Sequence, residues 1–509
     1  VTLSISADEA KKLAHRDRER LHSLKKLSLV LDLDHTLLHA TGDPRAAKFL
    51  HNNGLCNEGD RKDIRTLLLD VTSSMVAPSR GGVIPRRAHQ YTRHFIKIRP
   101  NLKTFFDQIS ELYEVQIYTA GTRDYAFKVS DLLSRYMVGA KDEEEMMSLR
   151  ENIKCLENKL ASMEKDHDKK ENNPEEPHKN VEGNLSTEQK STDNEENSNA
   201  PPRKRVKFSD ECLSSKGDTL RMQLRGKREI LMEAEKLEAS ARILRQQLFG
   251  SRIISRTDVG DLGRDVKDLK RAFPCGGVMS AVVDDREDVW ANAKENISGR
   301  AGEPPLNLLL VKPYHCKSFT DAGYADVNNV SGSDLSRSDV SLPEEDEQLL
   351  WTADILTRLH KSYYAYHKME STKSVPDILG EMRRNVLRDR PTNILLSGIV
   401  PIHGKMKGRP QVLRYAEELG AKVFTECKPE VTHLVCNREG TLKFNWAMKK
   451  PKCVVVRTAW LMKCLWSLKR ISEDSFMFHV PENPTTESEN TDASSDDDFE
   501  AELEKEMFG

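Results

Sequence analysis

The stretch LSLVLDLDHTLL (residues 27–38) decides the fold of this chain, because an apolar run ends there in two carboxylates and a hydroxyl. Such a run is typical of a buried parallel strand, and α/β folds place their chemistry at the ends of these strands. Side chains alternate along a strand, so Asp32 and Asp34 point to the same side and repel each other unless a cation lies nearby. Oxygen ligands of this kind suit Mg²⁺, so the stretch predicts a metal-dependent phosphoryl-transfer centre.

Length and composition limit the classes of protein that this chain can be. The 509 residues allow several domains, and a charged fraction of 31% beside an aromatic fraction of 6% indicates folded parts diluted by disordered ones. The net charge of −2 gives no overall basic field, so we expect no direct nucleic-acid contact. No apolar run is long enough to span a bilayer, so no membrane is expected. The nine cysteines contain no CxxC pair, which argues against zinc and disulfide frameworks and favours a reducing compartment.

Strand and helix patterns alternate along the first part of the chain. Residues 95–99 predict a strand, 102–112 a helix and 115–119 another strand, and this βαβ order indicates a mostly parallel sheet. The α/β pattern resumes near residue 253, and a second globular unit follows from 391. The predicted organisation is an N-terminal charged helix (1–26), an α/β domain in two pieces (27–140 and 249–345), an insertion (141–248), connecting helices (346–390), a second α/β domain (391–482) and an acidic disordered tail (483–509).

The insertion combines two helical patterns with a polar loop. Apolar residues recur at helical spacing in 141–166 and 218–248, whereas 167–217 are polar and predicted to be disordered. The two helices are expected to pair as a hairpin, either as a solvated extension without its own function or as a binding module. The loop contains the basic cluster PPRKRVKF (201–208), which resembles a nuclear localisation signal and predicts a nuclear protein.

Suitable polar groups stand at the ends of the other predicted strands. Thr119 ends one of them, and Asp284 and Asp285 end the strand at 278–286. A phosphomonoesterase needs a carboxylate nucleophile, an acid to protonate the leaving oxygen, a divalent cation, and a hydroxyl and an ammonium to hold the phosphate. Basic residues precede the 278–286 strand: Arg256 and a predicted helix from Asp265 to Phe273 that carries Lys267, Lys270 and Arg271.

These residues resemble a known family. Residues 32–36 match the DxDxT motif of the phosphatase branch of the haloacid dehalogenase superfamily. The stretches KIRP (97–100), YTAGTRDYA (118–126) and VDDREDVW (283–290) are similar to the Fcp-type phosphatases, which act on the C-terminal domain of the largest RNA polymerase II subunit. The resemblance implies a parallel-sheet catalytic domain of the haloacid dehalogenase type. It also implies a Mg²⁺-dependent protein serine phosphatase whose substrate is the phosphorylated YSPTSPS heptad repeat.

The resemblance assigns roles to the carboxylates. Asp32 is implied to be the nucleophile and a Mg²⁺ ligand. Asp34 is implied to be the general acid and base, with its backbone carbonyl also meeting the metal. Asp285 is implied to supply the third protein ligand, with Asp284 close behind it.

The resemblance also assigns the groups that bind phosphate and support the site. Thr119 and Lys267 are implied to hold the phosphate, with Lys270, one helical turn away from Lys267, as the alternative. Five further positions match the family and are implied to bind substrate or support the site, with purely structural roles as the alternative. These are Arg99, Tyr113, Tyr125, Arg256 and Arg286.

Residues 391–482 resemble a BRCT domain, which Fcp-type enzymes carry after the catalytic domain. The resemblance rests on Gly420-Ala421, THLV (432–435) and Trp460. Some BRCT domains bind phosphoserine through a Ser/Thr-Gly pair and a Thr-x-Lys, and this chain has Ser397-Gly398 and Thr441-Leu442-Lys443 in those places. A hydroxyl, a backbone N–H and an ammonium are groups that bind phosphate, although the two hydroxyls could equally be capping groups.

Partners other than the polymerase tail are implied at the C-terminus. The acidic tail interleaves acids with bulky apolar residues, a pattern that can fold as a helix into a basic groove. Fcp-type tails dock on the general factor TFIIF in this manner, so the resemblance implies TFIIF as a partner.

Two other functions compete with this interpretation. One is a phosphopeptide-binding scaffold with weak or no catalysis, against which the complete set of catalytic residue types argues. The other is a small-metabolite phosphatase of the same superfamily, against which the BRCT resemblance and the lack of an obvious enclosing cap argue.

Overall fold

The computed structural model divides the chain into two compact units, which are described separately: residues 1–137 with 243–509, and residues 138–242. The segments 172–207 and 479–509 lie outside the described residues, and with them most of the predicted disordered loop, the basic cluster and the acidic tail. The structure describes residues 6–47, 63–70, 91–171, 208–259, 266–273, 277–291, 303–316, 319, 346–368, 373–398 and 410–478.

The described residues form three sheets. The strands are β1 (Leu27–Leu31), β2 (Leu38–Thr41), β3 (Ile64–Asp70), β4 (Tyr91–Ile98), β5 (Tyr113–Tyr118), β6 (Ile253–Ile254), β7 (Ser280–Asp284), β8 (Leu308–Leu310), β9 (Asn393–Ser397), β10 (Lys422–Phe424), β11 (His433–Cys436) and β12 (Val454–Arg457). The α-helices are α1 (Ala7–Leu24), α2 (Leu102–Ile109), α3 (Arg123–Val138), α4 (Glu143–Glu171), α5 (Phe208–Leu248), α6 (Arg256–Val259), α7 (Leu269–Ala272), α8 (Asp288–Ala291), α9 (Gln348–Lys368), α10 (Val375–Asn385), α11 (Gln411–Glu418), α12 (Leu442–Met448) and α13 (Thr458–Ser467).

The first sheet is parallel throughout, in the order β6-β5-β1-β7-β8, which confirms the predicted α/β architecture. The central strand β1 buries all five of its side chains. Leu27, Leu29 and Leu31 belong to one core cluster, whereas Val30 belongs to a second cluster with Tyr118 and Trp290. A strand covered on both faces has no side for polar residues, and this is why residues 27–31 read as a continuous apolar run.

A second, antiparallel sheet of order β2-β4-β3 lies outside the predicted architecture. The strand expected at residues 95–99 exists, but it extends over Tyr91–Ile98 and pairs antiparallel with β2 and β3. The prediction that it belongs to the parallel sheet is therefore wrong. An apolar pattern shows that a segment is a strand but does not select its partner, and the strand Ile64–Asp70 is absent from the predicted elements.

The third sheet, of order β10-β9-β11-β12, is also parallel and forms the second α/β domain. Its two faces contribute to different core clusters: Trp460 of α13 lies in one cluster, and Phe444 of α12 in the other. The turn into β10 requires glycine, because Gly420 has a φ of +91° and a Cβ there would collide with the backbone carbonyl of Arg384. Helix α9 packs against both α2 and α13, so it joins this domain to the first sheet.

The second unit consists of α4 and most of α5. Leu149, Ile153 and Leu224 form a small core cluster between the two helices. Ion pairs also join them: Arg150 pairs with Glu235 and Glu238, Arg221 with Glu164, and Arg228 with Glu157. Among the described helices of the whole chain, none is both long and apolar enough to cross a membrane.

Candidate active site

The parallel sheet brings the predicted catalytic groups to one edge. Asp32 directly follows β1, Thr119 follows β5, and Asp284 and Asp285 lie at the end of β7. Backbone bonds fix the register there, because the Asp32 amide donates to the Val283 carbonyl over 3.0 Å. The carboxyl ends of parallel strands meet at one edge, so four strand-end residues converge without any long connection.

Three carboxylates form the centre of this edge. One carboxylate oxygen each of Asp32, Asp284 and Asp285 lies within 4.8 Å of the other two. Burial raises the pKa of Asp32 to about 7, and the neighbouring carboxylates also raise it, whereas the charge of Lys267 lowers it. Burial and the charges of Asp284 and Asp32 likewise raise the pKa of Asp285. Buried carboxylates that repel one another in this way would be stabilised by a cation.

Lys267 provides a positive charge within the cluster. Its Nζ donates to Oδ1 of Asp32 and to Oδ2 of Asp284, both over 2.6 Å, and the two carboxylates raise the pKa of the buried lysine although burial lowers it. The helix predicted from Asp265 to Phe273 is shorter in the structure, because Asp268 caps the one-turn helix α7 (Leu269–Ala272) and Lys267 lies in the preceding loop. The side chain that contacts Asp32 is thus that of Lys267, which extends from a loop and not from a helix.

Asp284 is held by more hydrogen bonds than its neighbour Asp285. Its Oδ2 also accepts a 2.9 Å bond from Nε1 of Trp290, and its Oδ1 accepts one of 2.9 Å from the Arg286 amide. Asp285 is partly exposed, and Oγ1 of Thr36 lies 3.5 Å from its Oδ1. Asp284 therefore organises the cluster, while Asp285 keeps oxygens available for a ligand. Trp290 has no predicted role, since only the fold shows that its indole N–H meets Asp284.

Asp34 lies in the tight turn that joins β1 to β2. His35 has a φ of +59° in this turn, and Asp34 forms an isolated bridge with Leu38. The hydroxyl of Tyr125 donates a 2.5 Å hydrogen bond to Oδ1 of Asp34. Burial raises the pKa of Asp34, and the bond from Tyr125 lowers it. A carboxyl group with a raised pKa next to the Asp32 position is suited to donate and accept a proton.

Arg99 holds the turn between β1 and β2 by hydrogen bonds to backbone carbonyls. It is completely buried and donates to the carbonyl of Thr36 over 2.9 Å and to that of Lys312 over 2.8 Å. It also pairs with both carboxylate oxygens of Asp346 over 3.0 Å. Of the two roles that the resemblance left open for Arg99, the geometry favours support over substrate contact.

Tyr113 does not lie at the site. It is the first residue of β5 and pairs with Leu27 at the opposite end of the sheet from Thr119. Its buried hydroxyl donates to the carbonyl of Leu356 over 2.7 Å. A role for Tyr113 in contacting substrate is therefore wrong, because it stands at the amino end of a parallel strand whose carboxyl end carries the site.

The remaining predicted residues line the same edge. Oγ1 of the buried Thr119 accepts the Gly121 amide over 3.0 Å, so its hydroxyl proton can be donated to a phosphate oxygen. Arg256 begins α6 after β6, and its amide donates to the Gly121 carbonyl, while its side chain is half-buried. Arg286 pairs with Asp288 over 2.5 Å.

Three histidines also lie together beside the motif. Ring nitrogens of His35, His39 and His315 lie within 4.8 Å of one another. Nδ1 of His35 lies 3.1 Å from the Tyr314 carbonyl, so it carries the proton and Nε2 is the acceptor of the neutral ring. Nδ1 of His39 instead accepts the Cys316 amide over 2.9 Å, so Nε2 of its neutral ring is protonated. With its Nδ1 lone pair accepting the Cys316 amide and a proton on Nε2, the neutral His39 ring offers no nitrogen to a metal ion.

The BRCT-like residues form a second cluster. Oγ of Ser397 lies 2.8 Å from Oγ1 of Thr441, which caps α12 by accepting the Phe444 amide. Gly398 has a φ of +63°. Lys443 lies half-buried in the first turn of that helix. The structure therefore brings two hydroxyls together at the N-terminus of α12. The predicted lysine, Lys443, lies two residues after the N-cap Thr441.

Two family models match the chain. The model for NLI interacting factor-like phosphatases matches residues 27–159, and that for the BRCA1 C-terminus (BRCT) domain matches residues 404–465. The first match contains the DxDxT turn, Arg99, Thr119 and Tyr125. The second contains most of the third sheet together with Thr441 and Lys443.

Known relatives are similar in the same regions. A C-terminal domain phosphatase of RNA polymerase II from Caenorhabditis elegans is 28% identical over 242 residues, which cover 47% of this chain and 34% of the relative. The protein of the same name from Saccharomyces cerevisiae is 22% identical over 96% of this chain and 62% of its own length. The chain thus spans less than two thirds of either relative.

A solved structure supports the fold. The fission yeast RNA polymerase II CTD phosphatase Fcp1, bound to beryllium fluoride, aligns over 92% of this chain and all of its own with a TM-score of 0.53 and 21% identity. Along the chain, the match to the NLI interacting factor-like phosphatase model (residues 27–159) is followed by the match to the BRCT model (residues 404–465).

Proposed function

We propose that this protein is a Mg²⁺-dependent protein serine phosphatase that dephosphorylates the heptad-repeat C-terminal domain of RNA polymerase II. The observation that carries the proposal is the 2.6 Å contact between Lys267 and Asp32 inside a cluster of three carboxylates, with Asp34 and Tyr125 alongside. This set supplies a nucleophile, an acid and a lysine ammonium group that can bind phosphate, all at one edge of the sheet.

The nucleophile is Asp32. Lys267 donates to Oδ1 of Asp32, and in the part of the chain that the structure describes Oδ2 accepts no hydrogen bond, so Oδ2 is available to bond phosphorus. As that bond forms, the bond from phosphorus to the serine oxygen breaks, and Asp34 transfers its proton to the leaving oxygen. Thr119 and Lys267 hold the non-bridging oxygens while their charge redistributes.

The second step reverses the role of Asp34. Its carboxylate now accepts a proton from water as the water oxygen attacks the phosphorus of the aspartyl-phosphate. The bond from phosphorus to Asp32 breaks, which releases inorganic phosphate and restores the carboxylate. Tyr125 keeps the Asp34 side chain oriented through both steps by its hydrogen bond to Oδ1.

The carboxylate cluster fits a divalent cation. Mg²⁺ prefers oxygen ligands, and two of the three carboxylates, those of Asp32 and Asp285, are candidates for binding it together with the Asp34 backbone carbonyl. When bound, the ion supplies positive charge against the non-bridging phosphate oxygens. Asp284 is already held by Lys267, Trp290 and the Arg286 amide, which suits a carboxylate that orients the others.

A repeatedly phosphorylated polypeptide suits the two-domain arrangement. The hydroxyls of Ser397 and Thr441 lie 2.8 Å apart at the start of α12, where the helix dipole favours an anion, with Lys443 and the positive-φ Gly398 nearby in sequence. We propose that this cluster binds one phosphoserine of the substrate while the catalytic domain hydrolyses another. Docking on TFIIF through residues 483–509 and residence in the nucleus stay predictions, because they rest on segments outside the described residues.

The test compares hydrolysis of a doubly phosphorylated heptad peptide with that of p-nitrophenyl phosphate by the full chain. Mg²⁺-dependent hydrolysis with a clear preference for the peptide is expected. Asp32→Asn should abolish both activities, whereas Asp107→Asn, at an exposed carboxylate paired with Lys103, should leave them unchanged. Hydrolysis of the peptide that is no better than that of p-nitrophenyl phosphate would favour a metabolite phosphatase. Full activity of Asp32→Asn would overturn the proposal.

A further inference from the structure

Glu287 connects the catalytic edge to the BRCT domain. It follows Asp285 by two residues, yet its carboxylate is held from α11. Nε2 of Gln411 donates to its Oε1 over 2.8 Å, and Nη2 of Arg414 donates to its Oε2 over 2.5 Å. The side chain of Glu287 is 11% exposed and that of Arg414 18% exposed, so the ion pair is shielded from water. Removing one partner of such a pair leaves a buried charge without compensation.

The backbone of Glu287 is hydrogen-bonded to the segment that carries Trp290. The Glu287 carbonyl accepts the amides of Trp290 over 3.1 Å and of Ala291 over 3.0 Å, which forms the single turn of α8. A four-residue helix cannot hold itself in water, so its position depends on what anchors its ends. Glu287 is the residue that anchors the start of this turn.

Trp290 connects this turn to the carboxylate cluster by a hydrogen bond. It is buried, and its Nε1 donates to the same Oδ2 of Asp284 that Lys267 contacts. The amide of Lys267 donates to the carbonyl of Val289 over 2.8 Å, so the lysine backbone is tied to the same turn. A continuous series of contacts therefore runs from α11 of the BRCT domain to the pair of Lys267 and Asp32.

We propose that Arg414 and Gln411 are positioning residues for the catalytic carboxylates, acting through Glu287 and the α8 turn. The BRCT domain then has a second task besides binding phosphopeptide, which is to hold the segment from Asp284 to Ala291 in place. The inference rests on the proposed phosphatase function, but it concerns how the site is held and not what it hydrolyses.

The experiment uses the full chain and p-nitrophenyl phosphate, a substrate too small to need the phosphopeptide cluster. Arg414→Met should raise the Mg²⁺ concentration for half-maximal activity by about tenfold, the lower end of the effect of losing support behind a metal site. Glu418→Gln is the matched control, because Glu418 is the other carboxylate paired with Arg414 and lies on the same helix. It should leave the Mg²⁺ dependence within twofold of wild type.

A second measurement does not depend on activity. In the metal-free protein, amide hydrogen exchange in residues 284–291 should be about tenfold faster in Arg414→Met than in wild type, with exchange in Glu418→Gln unchanged. Should Arg414→Met fail to fold, Gln411→Leu removes only the neutral hydrogen bond and should show the same two changes at smaller size. Wild-type exchange and wild-type Mg²⁺ dependence in a folded variant would overturn the inference. A wild-type protein without Mg²⁺-dependent hydrolysis would instead overturn the proposed function.

Discussion

The hydroxyl of Tyr125 donates a 2.5 Å hydrogen bond to Oδ1 of Asp34, so the proposed general acid is tied to the first turn of α3. Burial raises the pKa of Asp34, and this hydrogen bond lowers it because it stabilises the carboxylate. The two effects together set the pH range over which Asp34 can serve first as an acid and then as a base.

Tyr125→Phe should therefore move the pH profile upward. Because that hydrogen bond stabilises the carboxylate and so lowers the pKa of Asp34, its loss should raise this pKa further. The limb of the kcat/KM profile that falls as Asp34 loses its proton should shift to higher pH. Tyr136→Phe is the control, since Tyr136 also donates to a carboxylate, that of Asp63, but away from the strand-end edge. An unshifted limb in Tyr125→Phe would mean that another group titrates.

Lys267 and Lys270 are distinguished by substitution. Lys267→Met should lower kcat by about 10²–10³-fold, the usual effect of removing a donor that stabilises the transition-state charge. Lys270→Met should keep kcat within a few-fold of wild type, because Lys267 is the lysine that contacts Asp32 and Asp284. Both variants are compared under saturating Mg²⁺ with p-nitrophenyl phosphate. The reverse order of effects would show that Lys270 holds the phosphate.

Lys267→Met should also lower stability in the absence of metal. The variant leaves two buried carboxylates without their cation, and breaking a buried pair costs about 3–5 kcal/mol. Because Mg²⁺ replaces part of that charge, its addition should raise the Tm of Lys267→Met by more than that of wild type. Equal shifts in both proteins would contradict a shared electrostatic role for the lysine and the metal.

The sequence predicted those parts of the site that follow from strand ends. Asp32, Thr119 and Asp284 each follow a buried apolar run, and parallel strands bring such ends to one edge. Tyr113 was assigned by its resemblance alone, although six residues of extended strand place it about 20 Å from Thr119. The predicted strand begins at residue 115, and it is the structure that extends it to Tyr113 and so separates Tyr113 from the site.

The contacts that hold the site could not be predicted in the same way. Glu287 and Arg414 are 127 residues apart, and no local pattern links an acid in a loop to a helix of another domain. Lys267 stands before a one-turn helix, so neither helical nor strand periodicity fixes where its side chain points. The partners of β4 were missed for the same reason, because periodicity shows burial but not pairing.

Trp290→Phe tests the hydrogen bond behind Asp284. The ring still fills the core, but the bond from Nε1 to Oδ2 is lost, and we expect a loss of about 1–3 kcal/mol in the free energy of unfolding together with weaker Mg²⁺ binding. Trp460→Phe is a matched control, because Trp460 is also buried and donates its indole N–H, over 3.0 Å, to the Ile471 carbonyl in the BRCT domain. It should lose comparable stability without any change in Mg²⁺ affinity measured by calorimetry. Equal Mg²⁺ affinity in both variants would show that Trp290 is only a core residue.

Lys443→Met tests the phosphopeptide cluster separately from catalysis. Lys443 lies in the first turn of α12, one residue after the start of the helix, where a phosphate would also meet the hydroxyls of Ser397 and Thr441. Loss of one charge-assisted hydrogen bond should weaken binding of a doubly phosphorylated heptad peptide by about tenfold, which corresponds to about 1.4 kcal/mol. Hydrolysis of p-nitrophenyl phosphate should not change.

The control for this variant is Lys449→Met, at the other end of the same helix, where the lysine is exposed and the helix dipole disfavours an anion. It removes the same charge from the domain, so any general electrostatic effect on an acidic peptide appears in both variants. A tenfold loss in Lys443→Met and less than twofold in Lys449→Met, measured by fluorescence anisotropy, is the expected result. Equal losses would assign the effect to net charge, and no loss in either would remove the cluster from substrate binding.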